Sequence, residues 1–443
     1  MLSVLPCFLI IGSTPIEKAG RPGSGRIETA DEQTGFCFTE PKAAKKTELP
    51  SLTKTDQYGY CADTDESVCC SRISAVGGLQ ETEGLNMISR ERLLTTFAHK
   101  QPDRCATYIW INDDTMDRLV KYLGVSSEEE AKEILGIDKW IGVGLNIQHP
   151  DDYWEKINSL IPSQYKNNPE FHITDEGRVV RVHEGSDYLE DAVWYPLQQA
   201  EKVQDLDSYP FRQENWIEVP KDLKNKIKQY KEAGYVVSGG IDQPFKAAWL
   251  VRGMDNVLMD YLVNPDLINE LYERIYSFSA AYCEKLVEAG VDMIQIVGDL
   301  GMQDRLIMSP DIWRQFDKER LRKLITRLKG INPELKLYMH TDGDVSEIIE
   351  DLIEVGIDIL NPIQPECMDP VEIKRKYGDK LVLHGAVSLQ KTLPFGSPED
   401  VKEEVRYLIE NCNVNGGFVL GPSNVLFKEI PPENIVAMYE AVY

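Results

Sequence analysis

From Gly234 to the C-terminus the chain repeats one unit: an amphipathic helical stretch, a short break, then a short, mostly apolar run. The runs are "YVVSGGI" (235–241), "VDMIQIVGD" (291–299), "LKLYMH" (335–340), "IDILNP" (357–362), "KLVLHG" (380–385) and "GFVLGP" (417–422). Each is apolar on both faces and preceded by helical spacing, which is how a parallel strand covered by helices reads. Because so many such units follow in series and none of the strands looks like an edge, the series predicts a closed (β/α)8 TIM barrel rather than an open sheet. Residues 165–215, with "RVVRVHEGSDYLEDAVWYPL", alternate with period two and predict a β-hairpin insertion in the first half of the barrel.

The barrel is expected to occupy 87–443. Upstream, residues 1–86 are crowded with breakers and small polar residues and lack sustained periodicity, so they read as a disordered leader, with Met87 a plausible natural start. At Met87 the text becomes "MISRERLLTTFAHKQPDR", with Ser89 as the expected helix cap and Leu93, Leu94 and Phe97 on one face. The apolar "LSVLPCFLII" has no preceding Lys or Arg and is broken by proline, which argues against an export signal.

Composition narrows function by exclusion. A formal net charge of -25 repels nucleic acid and anionic lipid, and no apolar run reaches the length of a membrane span. Nine cysteines, five of them before residue 71 and none in CxxC spacing, fit reduced thiols, so a cytoplasmic location is expected. No GxGxxG opens a helix after a strand, and no Walker-type loop is present. A homodimer is compatible with the sequence, which otherwise leaves assembly open.

In such a barrel, function belongs at the carboxyl ends of the strands. Reading each run to its end brings together Asp299, His340 with Asp342, Asn361 with Gln364, His384 with Ser388 and Gln390, and Ser423 with Asn424. A strand ending in His-Thr-Asp-Gly aims an imidazole and a carboxylate at one mouth. His340, Asp342, Asp299 and His384 are therefore the candidate catalytic groups, and Asn361, Gln364, Gln390, Ser423 and Asn424 the candidate substrate contacts. A single strand-end histidine can also do no more than cap backbone carbonyls.

Five stretches resemble the uroporphyrinogen decarboxylase superfamily: "SRERLLTTFAHKQPDR", "KAAWLVRGMDNVLMDYLVNPDLINELYERI", "GDLGMQDRLIMSPDIWRQF", "MHTDGDVSEIIEDLIEVGIDILNPIQP" and "GGFVLGPSNVLFKEIPPENIVAMYEAV". The resemblance implies a (β/α)8 barrel and one of two chemistries, porphyrinogen decarboxylation or methyl transfer to a corrinoid carried by a partner protein. Decarboxylases of this group carry an Arg-rich "RQAGR" run that grips substrate carboxylates. The corresponding "CATYIWINDDTMDRLVKYLGVSS" has one Arg and three acids, which disfavours a polyanionic substrate.

Members that methylate thiols resemble one another in a His-x-Cys zinc pair after this strand; here the pair reads His340-Thr341-Asp342. Members that demethylate ethers or amines show two acids and a histidine at spacings that Asp304, Glu319 and His340 reproduce, although Glu319 falls well inside a helix. The resemblance thus implies a methyltransferase acting between a small O- or N-methyl substrate and a cobalamin carrier protein. Zinc would be held by His340, Asp342 and Asp304. The alternatives are a decarboxylase of a porphyrinogen or smaller carboxylate, and a non-catalytic binding barrel.

Overall fold

The computed structural model describes residues 87–181 and 191–443; the expected leader over 1–86 and His183 lie outside the described residues. Eight parallel strands form the central sheet: β1 Ala106–Thr107, β2 Trp140–Gly142, β3 Val236–Asp242, β4 Met293–Val297, β5 Lys336–His340, β6 Ile359–Asn361, β7 Val382–Val387 and β8 Phe418–Pro422. Each pairs with its sequence neighbour from β2 to β8, and β8 pairs with β1. That ordering is a (β/α)8 barrel, as expected.

The seam between β1 and β2 is closed by side chains. The Thr107 N–H donates to Asp138 Oδ2 at 2.9 Å, and the Asp138 N–H donates to Thr107 Oγ1 at 3.2 Å. Asp138 is in turn held by Arg92 and Arg104. Inside, one layer is built from Ala106, Val236, Met293, Tyr338, Ile359, Val382 and Val419, with Trp140 of β2 packed against it. Every strand contributes to this layer, so the interior is a filled core. Leu93 and Phe97 of the helix Ser89–Phe97 plug its amino-terminal end. That helix begins at Ser89 itself, so its cap is Ile88 rather than Ser89, and Glu91 supplies the acceptor for the Ile88 N–H at 3.3 Å.

Along β5, Leu337 and Met339 face the outer helices while Tyr338 and His340 face the lumen, the period-two alternation of a strand buried on both sides. Each fully buried aliphatic side chain of this kind contributes roughly 1.5–3 kcal/mol. Between β2 and β3 the chain makes an excursion that leaves and returns through paired segments, Asn146–Ile147 against Ile217–Glu218. Within it the expected hairpin has one strand more: Phe171–Ile173, Val179–Arg181 and Asp191–Trp194 form an antiparallel three-stranded sheet. Among the described residues no helix is long and apolar enough to cross a membrane.

Candidate active site at the barrel mouth

The carboxyl ends of four neighbouring strands finish in register, so that Asp242, Val297, His340 and Asn361 form one row across β3 to β6. His340 is 6% exposed. Its Nδ1 lies 2.7 Å from Asn361 Oδ1, and because that oxygen only accepts, Nδ1 carries the proton and the Nε2 lone pair faces outward. Nε2 stands 4.0 Å from Asp342 Oδ1. The other Asp342 oxygen accepts a 2.6 Å hydrogen bond from Asn424 Nδ2, whereas the buried Oδ1 has no hydrogen-bond partner. Asp299 completes the group: its Oδ1 accepts the Asp342 N–H at 3.0 Å.

One ligand atom from each of Asp299, His340 and Asp342 lies within 4.8 Å of the others. Burial and the neighbouring Asp299 charge push the Asp342 carboxyl well above the usual range, against the Asn424 hydrogen bond. Burial pushes the His340 imidazole down; Asp299 and Asn361 oppose that shift, and the Lys246 charge adds to it. A neutral imidazole lone pair and an orphaned carboxyl oxygen beside a second carboxylate fit a divalent cation with nitrogen and oxygen ligands, which would offset the desolvation of the two acids. The expected third ligand is corrected accordingly. Asp304 is 71% exposed, lies beside Arg305 and is outside the cluster, whereas Asp299 lies within it. Glu319 stays on its helix, paired with Arg322.

The loop geometry explains the last glycine of "GDLG" and that of "HTDG". Gly343, at φ +83°, and Gly301 meet backbone to backbone: a Cβ on Gly343 would lie 2.4 Å from the Gly301 carbonyl carbon. Around that crossing the Leu300 N–H donates to Thr341 Oγ1 at 2.8 Å, the Gly301 N–H to the Asp342 carbonyl at 3.2 Å, and the Asp344 N–H to the Met302 carbonyl at 2.7 Å. Two strand-end loops are thereby locked together with Asp299 and Asp342 between them.

The other expected site residues take different places. Gln364 is buried and accepts the Gly343 N–H at 3.2 Å, a support for the loop crossing. Ser423 is buried beside Asn424, and its N–H donates to the Val387 carbonyl. Gln390 is on the outer rim, its amide 3.5 Å from Gln303. Ser388 donates its hydroxyl to Glu366. His384 is not at the mouth. It is 1% exposed, with Nδ1 3.2 Å from the Tyr338 hydroxyl, and it is enclosed by the rings of Tyr108, Trp140 and Tyr338. That burial lowers its pKa to about 3.

Two mouth residues escape a reading of strand ends alone. Trp110 stands edge-to-face with His340, centroids 5.1 Å apart, and Lys246 pairs with Asp242 at 3.0 Å. The alternation of Ala106, Tyr108 and Trp110 in "CATYIW" is the signal that places Trp110 on the lumen side.

Comparison with known proteins bears on the family and the fold. The family model for uroporphyrinogen decarboxylase (URO-D) matches residues 191–443. A methylcobamide:CoM methyltransferase, MtaA of Methanosarcina barkeri, is 28% identical over 236 residues, 50% of this chain and 66% of that protein. A uroporphyrinogen decarboxylase of Chlorobaculum tepidum is 24% identical over 40% of this chain and 49% of its own length. The matches thus span less than two thirds of these relatives. A solved methyltransferase from Methanosarcina mazei superposes with a TM-score of 0.54, covering 80% of this chain and 98% of its own at 19% identity, which supports the shared fold. With the family match extending over more than half the chain and the barrel and its mouth in place, this protein belongs to the uroporphyrinogen decarboxylase family.

Proposed function

We propose that the protein is a corrinoid-dependent methyltransferase, moving a methyl group between a small O- or N-methyl substrate and a cobalamin carried by a partner protein. The observation that carries this reading is the Asp299–His340–Asp342 cluster at the barrel mouth, with an imidazole lone pair and an orphaned carboxyl oxygen facing each other. The likeness to MtaA supports the methyl-transfer branch. The amino-acid content supports it too: "CATYIWINDDTMDRLVKYLGVSS" offers one arginine, and that residue, Arg118, donates to the Lys428 carbonyl.

When a methyl group leaves oxygen or nitrogen as a cation equivalent, the bonding pair stays on the heteroatom, which then needs a positive partner. A divalent cation held by Asp299, His340 and Asp342 would act as a Lewis acid for that heteroatom. The chain itself supplies the orientation. Asn361 fixes the His340 tautomer so that Nε2 faces the mouth, and Asn424 holds one Asp342 oxygen so that the other stays available. Trp110 walls the imidazole on the β1 side. His340 is a poor general acid, because burial keeps it neutral.

The test is direct. The full chain is incubated with reduced corrinoid carrier and a panel of methyl ethers and methylamines while the cobalt absorbance is followed. Appearance of methyl-cobalt with at least one compound is the expected result. Release of CO2 from a porphyrinogen or small carboxylate, without corrinoid, would establish the decarboxylase reading instead, and inertness in both assays would establish a binding barrel.

A further inference from the structure

The helix that follows the Asp299 loop is interrupted by a π-turn. It runs Pro310–Trp313, Arg314–Lys318 in π geometry, then Glu319–Ile331, and Ser309 caps it by accepting the Ile312 N–H at 3.3 Å. A π-turn inserts one residue into the helical register, and such insertions cluster at places with a role beyond packing. Here the insertion turns Asp317 inward. Asp317 is 3% exposed, and neither carboxyl oxygen has a hydrogen-bond partner.

Every cation nearby is already engaged. On the outer face of the turn, Arg314 and Lys318 both hold Asp351, at 2.9 Å and 2.6 Å, and Lys318 also bonds Glu354. Arg320, one turn on, donates to the Phe316 carbonyl at 2.6 Å, to Asn269 at 3.0 Å and to Glu273 at 2.9 Å. The groups facing Asp317 from the packed helices are Tyr261 of Met254–Val263 and Tyr272 and Tyr276 of Pro265–Ala289. Tyr261 and Tyr272 bond to each other through their hydroxyls, and burial raises all three phenols well above their ordinary value, so they stay neutral.

A carboxylate in these surroundings has no hydrogen-bond donor and only Arg320, itself bonded to other groups, as a nearby positive charge, whereas a carboxylic acid is tolerated. We propose that Asp317 is a proton-controlled latch: protonated, it lets the π-turn pack against the tyrosine cluster, and ionised, it loosens the first half of helix 310–331. Because this half-helix follows directly on the loop that carries Asp299, the latch sets how firmly the far end of that loop is anchored. The inference is independent of the reaction the site performs.

Burial raises the Asp317 pKa to about 7 against an ordinary value near 4, with Arg320 opposing. A group whose folded pKa is raised binds its proton more tightly in the folded state. Its contribution is therefore complete below the unfolded pKa and is lost as pH rises through the folded one.

Backbone hydrogen exchange of residues 310–318, measured from pH 4.5 to 8.5 and corrected for base catalysis, reads this out. In the wild type the opening of these amides should increase up to about tenfold per pH unit and level off above pH ~7. In Asp317→Asn, which cannot ionise, the corrected opening should be flat. Parallel profiles in the two proteins would overturn the proposal. Asp317→Leu serves if the amide variant does not fold, and a wild-type profile with no rise between pH 4.5 and 7 overturns the latch without any variant.

Discussion

At the scale of single residues the site depends on which atom of each side chain is committed elsewhere. Asn361 accepts a hydrogen bond from His340 Nδ1–H at 2.7 Å and so leaves the Nε2 lone pair facing the mouth. Removing that acceptor frees the ring to turn and to change tautomer. Asn361→Ala is expected to weaken divalent-cation binding about 10–100-fold, the usual cost of losing an orienting partner of a ligand histidine, and His340→Ala to abolish it. Competition against a chromophoric chelator measures both. Equal affinities for wild type and Asn361→Ala would remove Asn361 from the orienting role. The same scale shows where a sequence reading stops. That His340 and Asp342 share a mouth follows from a strand ending in them. Which acid of the next loop joins them does not follow, because Asp299 and Asp304 are both polar residues after β4 and only the Gly301–Gly343 crossing turns Asp299 inward. His384 misleads for a related reason: the apolar run does not end there, since β7 continues through Gly385 and Ala386 to Val387 and leaves the histidine inside the core.

Elements long enough to show a period are legible, and elements that are not stay hidden. Strands β3 to β8 lie within two residues of the apolar runs that announce them. β1 and β2 span two and three residues, too few for any alternation, and are recognisable only by what pairs with them. The insertion's additional strand, Phe171–Ile173, is three residues long and too short to show an alternation of its own. Between the β4 and β5 loops the controlling feature is contact between two backbones, which predicts a contrast between glycines. Gly343 has φ +83° and meets backbone atoms at 2.4–2.8 Å, whereas Gly124, at the C-terminus of helix Asp113–Leu123, has φ +69° and nothing within 4 Å. Gly124→Ala should cost about 1–2 kcal/mol from the left-handed backbone alone. Gly343→Ala should cost more than that, about 3 kcal/mol or above, since the loops must also part. Urea midpoints compare them, and equal midpoints would mean that the crossing yields without resistance.

For the molecule as a whole, closure is the property that no single unit supplies. Seven of the joints between strands are parallel ladders, and the eighth, between β1 and β2, hangs on Asp138. That carboxylate is fully buried, and it neutralises Arg92 and Arg104, whose side chains are only 7% and 9% exposed. Arg92 also reaches Asp103 at 2.7 Å and so ties the plugging helix to the same seam. Asp138→Ala would orphan the Thr107 N–H and leave buried guanidinium charge unmatched, and removing one partner of a buried pair typically costs 3–5 kcal/mol. Asp138→Asn keeps an acceptor for Thr107 but loses the charge, so it should fall between the alanine variant and wild type. Because the lumen layer takes a side chain from every strand, opening the seam exposes a core shared by the entire barrel. The loss should therefore appear as one cooperative transition at lower urea, with the same midpoint by tryptophan fluorescence and by far-ultraviolet circular dichroism. Two separated transitions would show that the first two strands can detach while the rest of the barrel holds, and an unchanged midpoint would show that β1 and β2 close without Asp138.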